Sequence, residues 1–224
     1  ITRGNRTELA KATISPNPWH HKRSQKDIAA RFPPLSLNKV RTVLHIGADK
    51  CGSSSIQSFL SHNHRLKTGS LLSNLSYACL GKNGLKLGDK IEKNLKRQVS
   101  GYISSASIAK ISEISKHNQQ FIKSSILDIS DDLIFSCEGW LRALSQAKGF
   151  NTLLDLVAPP DSNRNVEIVA FVRPPVKWIN SAWWQWGIWE SDGNFDAWLE
   201  SAVKSVNWHK YLNQAKDFTR ISRL

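Results

Sequence analysis

Acidic side chains are scarce in this 224-residue chain: 18 Asp and Glu stand against 31 Lys and Arg, a formal charge of +13. That balance disfavours cationic partners and favours anionic ones. Cysteine is sparse too. Cys51, Cys79 and Cys137 fall at no paired spacing, which excludes a disulfide-stapled scaffold and a CxxC zinc site. Neither an HExxH motif nor a carboxylate cluster at metal-ligand spacing occurs, so no metal is expected. Apolar runs stay well short of the roughly 20 residues of a membrane-spanning helix, and no secretory-leader pattern is legible. Methionine is missing altogether. The expectation is therefore a piece of a longer protein, or methionines carried in a modified form.

What is present suffices for one sizeable core, since 40% of the residues are hydrophobic and a chain of this length ordinarily forms a single domain. Residues 1–38 are polar and basic, with Pro16, Pro18, Pro33 and Pro34, and read as an extension carrying at most a short helix near Gln25 to Arg31. His20 and His21 lie in it without an assignable role. From residue 39 to 224 apolar β-like runs alternate with helical patterns, which predicts an α/β domain. The arrangement expected is three-layer α/β/α around a central parallel sheet, with ligands at the carboxyl edge of the strands. Helices are predicted from about Ser54 to His64, from Asp89 to about Lys123 with a break near Gly101, near Leu141 to Val157, and near Phe195 to Val206. Residues 65–88 read as loop.

The most informative segment runs from Thr42 to Ser55, an apolar run that breaks into Gly47-Ala48-Asp49-Lys50-Cys51-Gly52-Ser53-Ser54-Ser55 before a helical pattern begins. Small residues at such a turn leave backbone N–H groups pointing inward, and the helix N-terminus adds partial positive charge, so an anion is expected there. Gly47 and Gly52 have the spacing of a nucleoside-triphosphatase loop, GxxxxGK[ST]. In that loop, however, lysine follows the second glycine, whereas Ser53 follows Gly52 and the lysine sits earlier, at Lys50. A second apolar run, Val166 to Val172, ends in Arg173, is followed by Pro174-Pro175, and places Ser181 about two turns into the next helix. A third, Leu133 to Cys137, ends in Glu138.

Lys50-Cys51-Gly52-Ser53-Ser54 resembles the 5′-phosphosulfate loop of sulfotransferases that use 3′-phosphoadenosine 5′-phosphosulfate (PAPS), whose pattern is strand, Lys-x-Gly-[Ser/Thr]-[Ser/Thr], helix. The stretch from His45 to Gln57 looks most like the bacterial and carbohydrate-directed branches, and the fold implied is P-loop nucleotide-hydrolase-like. By that resemblance Lys50, Cys51, Gly52, Ser53, Ser54 and Ser55 hold the 5′-phosphosulfate, and Lys50 stabilises the leaving phosphate oxygen. Arg173 and Ser181, similar to the family's 3′-phosphate pair, bind the 3′-phosphate, a task that suits a planar, always charged guanidinium. Glu138 matches a strand-end glutamate near the acceptor and is a candidate general base. The family's other pattern places a base nearer the loop, where no carboxylate stands out. The resemblance covers roughly residues 40–215, and the basic, Gly-containing lid the family carries later has no counterpart here. Its plain alternatives stay open: a Ser-rich turn, a strand-capping arginine, a structural glutamate.

The resemblance implies sulfuryl transfer from PAPS to a hydroxyl or amine, the acceptor being a saccharide in one reading, with the product nucleotide adenosine 3′,5′-bisphosphate (PAP). A P-loop-like nucleotide kinase and a non-catalytic basic polyanion-binding module are the alternatives. Nucleic acid ranks lower, because the basic residues are scattered and carry no nucleic-acid-binding signature. A bacterial cytosolic enzyme is the first expectation for compartment and a Golgi-lumen domain the second. His45 reads as a core histidine. Of nine tryptophans, five lie between Trp178 and Trp189. Trp183, Trp186 and Trp189 are predicted to share one helical face against the core, unless one or two line an acceptor cleft and stack on sugar rings.

Overall fold

The computed structural model describes residues 39–67 and 74–223, so the readings for residues 1–38 lie outside the described residues. In order the elements are β1 (Val40–His45), α1 (Ser53–His62), β2 (Arg65–Lys67), β3 (Asn74–Gly81), β4 (Gly84–Lys86), α2 (Asp89–Leu95), α3 (Ile108–Ser112), α4 (Lys116–Leu127) and β5 (Asp132–Ser136). After β5 come α5 (Trp140–Ala143), α6 (Ala147–Val157), β6 (Arg164–Val169), α7 (Pro175–Ala182), a π-helical turn (Trp183–Gly187), α8 (Ile188–Glu190), α9 (Phe195–Ser205), α10 (Trp208–Ala215) and β7 (Ile221–Arg223).

The sheet runs β2-β3-β5-β1-β6-β7, with β4 paired to β3. Every pairing among β3, β5, β1, β6 and β7 is parallel, while β2 and β4 pair antiparallel with β3. β1 is central, its Leu44 opposite Phe135 on one side and Ile168 on the other. The chain leaves β1 in one direction to build β3 and β5, then crosses to the other side for β6. Such a reversal at a central strand opens a crevice at the carboxyl edge, the usual ligand position of an open α/β sheet.

Alternation along the strands sends side chains to two cores. Leu44, Ala78, Leu80, Leu133 and Phe135 pack with Ile108 and Ile111 of α3, Ile122 and Ile126 of α4, and Phe150 to Val157 of α6. Tyr77, Cys79 and Ile134 face the opposite way, against Leu60 of α1 and Ile91 of α2. Helices thus cover both faces. At the amino edge, Asp132, with only 3% of its side chain exposed, accepts from the Arg41 backbone and from Arg41 Nε, each at 2.7 Å, while Arg164 donates to carbonyls of Arg41, Ile129 and Asp131. These contacts clamp β1, β5 and β6 at the end opposite the crevice.

Three expectations are corrected. Residues 65–88 are not loop: they hold β2, β3 and β4. The reason is that β3 is buried on both faces from Ser76 to Leu80, so its mixture of Asn, Ser, Ala and Gly shows no alternation and only its tertiary position makes it a strand. The segment from Asp89 to Lys123 contains three short helices, and the one expected over 141–157 is two, α5 and α6. Past Asp217 the chain adds β7 beside β6.

Candidate functional site

The three motif-bearing turns leave neighbouring strands on the same edge. The backbone stays bonded past the strand ends: Ile46 N–H donates to Val169 O at 3.0 Å, Ala48 N–H to Phe171 O at 2.8 Å, Cys137 N–H to His45 O at 3.0 Å, and Leu141 N–H to Ile46 O at 2.9 Å. The turn after β1 is therefore wedged between the turns after β5 and β6. Gly47 makes this fit possible. Its φ is +104°, and a Cβ there would lie 2.3 Å from the Glu138 carbonyl oxygen, a separation no side chain tolerates.

From Gly47 the loop passes Lys50 in the left-handed region, φ 60°, and enters α1 through Gly52, φ 90°. Gly52 O accepts from Ile56 N–H, and the backbone N–H groups of Ser53, Ser54 and Ser55 ahead of it belong to the first turn, where a helix has no internal acceptors. Ser54 and Ser55 are exposed, whereas Ser53 is buried and its hydroxyl donates to Ala48 O at 2.9 Å, bracing the loop from within. Burial pushes the Cys51 thiol pKa up, against a smaller opposing effect of the Arg173 backbone and charge. Arg173 and Ser181 are both half-buried.

Two indoles hold the backbone of these turns. Trp178 Nε1 donates to Asp49 O at 2.9 Å, and Trp208 Nε1 donates to Arg173 O at 2.9 Å. The two rings meet edge to face, centroids 5.9 Å apart. Carbonyls engaged by indole N–H groups are kept from presenting negative charge to an incoming anion.

Glu138, half-buried, accepts a 2.6 Å hydrogen bond from Gln57 Nε2 of α1. His45 is 1% exposed; its Nδ1 pairs with Ser136 Oγ at 2.7 Å, and its Nε2 has no partner among the described residues. Burial lowers its pKa, against a smaller opposing pull from Glu138, so it is a neutral core histidine.

A carboxylate does stand beside the loop, contrary to the sequence expectation. Asp49 precedes Lys50 and pairs with Arg142 of α5 at 3.1 and 3.2 Å, and burial, partly offset by Arg142, raises its pKa. Its place in the loop was legible; its direction was not, because a partner 93 positions away holds it. Asp49, Gly139, Arg142, Trp186 and Glu190 line a cleft of about 360 Å³. The Lys50 ammonium sits 4.9 Å from the Trp186 ring centroid.

The tryptophans do not share a face. Trp183 packs on Phe195 and Trp198, Trp186 turns to Trp178 and Lys50, and Trp189 is 80% exposed. The cause is the π-helical turn over 183–187, whose wider winding breaks the three-residue stagger. Among the described residues no three His, Cys, Asp or Glu side chains gather as a metal site, and no helix is long and apolar enough to cross a membrane. Compared with known proteins, the chain matches no family model, no curated protein and no solved structure.

Proposed function

We propose that this chain is a sulfotransferase with a P-loop-like loop, moving the sulfuryl group of PAPS to a hydroxyl or amine. The observation that carries the reading is the meeting, at the carboxyl edge where the sheet reverses, of the turns that hold Lys50, Glu138 and Arg173. A strand-to-helix loop bearing a lysine suits a 5′-phosphosulfate, and an arginine whose own carbonyl is held by the Trp208 indole N–H at 2.9 Å suits a 3′-phosphate. In this reading the nucleotide spans from the first turn of α1 to Arg173 and Ser181. The +13 charge favours such a polyanion.

Transfer then needs little covalent work from the protein and much positioning, as for phosphoryl groups. The acceptor oxygen or nitrogen donates a lone pair to sulfur as the bond from sulfur to the 5′-phosphate oxygen breaks. The electron pair of that bond stays on the phosphate oxygen, where Lys50 and the N–H groups of Gly52, Ser53, Ser54 and Ser55 neutralise it. The acceptor's proton passes to Glu138, which Gln57 orients. The products are the sulfated acceptor and PAP.

Calorimetric titration with PAP against ATP tests the donor half. PAP should bind and ATP should bind at least about tenfold more weakly, and Lys50→Ala should abolish transfer at an unchanged thermal midpoint. Equal affinity for ATP sinks the reading at Arg173 and Ser181 and favours a nucleotide kinase.

A further inference from the structure

Charge is spread unevenly along the chain, and the exception coincides with exposed aromatic side chains. No Lys, Arg or His occurs from Trp178 to Val203, whereas Glu190, Asp192, Asp196 and Glu200 all do. An acidic stretch thus sits in a chain of net charge +13. It comprises most of α7, the π-helical turn, α8 and most of α9. Trp178, Ala182, Trp198 and Ala202 are buried, so these helices turn one side to the core. The other side leaves Trp184 67% and Trp189 80% exposed, five positions apart and so about one π turn from each other. Phe195 and Val203 of α9 are exposed as well.

The carboxylates beside these rings have no internal task. Asp192 lies in the short turn between Trp189 and Phe195, Asp196 is in the first turn of α9, and Glu200 and Val203 follow it at helical spacing on the same face. Among the described residues none of these three acids takes part in an ion pair. Glu190 lines the cleft that also holds Arg142 and is not counted with them. Exposed apolar side chains gathered in one stretch mark an interaction site, and the charge says which partner fits. A nucleic acid or an anionic bilayer, although drawn by the net charge, meets like charge on this face. A neutral saccharide stacks on the indoles but gains nothing from the acids. A guanidinium uses both, lying flat on a tryptophan face while its N–H groups reach a carboxylate. At about 0.15 M salt the Debye length is ~8 Å, so basic residues elsewhere on the chain are largely screened from it. We propose that the outer face of α7, the π turn, α8 and α9 is a docking surface for an arginine-rich segment of a partner protein.

The test titrates dye-labelled heptaarginine and heptalysine with the full chain at that salt concentration and follows fluorescence anisotropy. Heptaarginine should bind at least about threefold tighter than heptalysine, the margin of one stacked guanidinium. Trp184→Ala combined with Trp189→Ala should erase that preference. Asp192→Asn, Asp196→Asn and Glu200→Gln together should weaken heptaarginine about tenfold, with the fold retained by circular dichroism. Equal affinity for the two peptides, a preference that survives the tryptophan substitutions, or binding that survives the carboxylate ones overturns the assignment. So does saturable binding of chitotetraose, or self-association in sedimentation, that the tryptophan substitutions remove: the first gives the face to a saccharide and the second to another copy of this chain. None of these outcomes touches the sulfotransferase reading, which the PAP titration decides.

Discussion

At Gly47 a hydrogen atom decides whether the site can assemble. The loop that bears Lys50 reaches its place because its backbone lies against that of Glu138, where a Cβ would come within 2.3 Å of a carbonyl oxygen. Gly47→Ala should cost about 3 kcal/mol or more, combining strain at φ +104° with a clash against backbone that cannot step aside, and denaturant midpoints will read it. His45 supplies a pH signature at the same scale. Its folded pKa lies below the unfolded value of 6.5, so the native state binds fewer protons and stability falls as pH drops through 6.5 toward the folded value, levelling off beneath it. Replacing His45 by Gln removes the titration. The thermal midpoint of the variant should vary less than the parent's between about pH 7 and about pH 5.

Among the elements, the helices after β6 do more than cover the sheet. α7 supplies Trp178 and α10 supplies Trp208, and through their indole N–H groups these fix the carbonyls of Asp49 and Arg173. Trp208→Phe keeps most of the ring packing but leaves the Arg173 carbonyl unpaired. It should weaken PAP binding by about 1 kcal/mol, roughly fivefold, with a smaller effect on an analogue lacking the 3′-phosphate. Equal losses for both nucleotides would mean that the indole serves only packing. The π-helical turn works at this level too, since it turns Trp186 toward Lys50 while Trp183 packs against α9.

Across the sheet the two ends differ: the amino edge is clamped by ion pairs and hydrogen bonds, and the carboxyl edge carries the loops of the proposed site. Asp132, Arg41 and Arg164 tie the amino ends of β1, β5 and β6, while the loops with Lys50, Glu138 and Arg173 occupy the carboxyl ends. Asp132→Ala should therefore lower stability by about 3–5 kcal/mol, as breaking a buried pair does, with PAP affinity unchanged in the protein that remains folded. Lys50→Ala should do the reverse. Chemical denaturation and calorimetry on the two variants check the division. A fall in PAP affinity for Asp132→Ala in folded protein would show that the two edges are coupled.

Local chemistry decided what the sequence revealed alone. β1, β5 and β6 were legible because each is a short apolar run bounded by turn residues, and the strand-to-helix turn of Gly47 to Ser55 because its glycines, both at positive φ, punctuate the chain whatever lies around them. The Pro175 start of α7 was legible for the same local reason. Long-range contacts decided the rest. β3 is a strand because β5 and β2 flank it, not because its residues favour extension. Asp49 faces a cleft because Arg142 draws it there, and the tryptophans after Ser181 part company because the helix widens into a π turn. Position along the chain could suggest an anion loop. Only the reversal of the sheet at β1 could set Lys50, Glu138 and Arg173 on one edge.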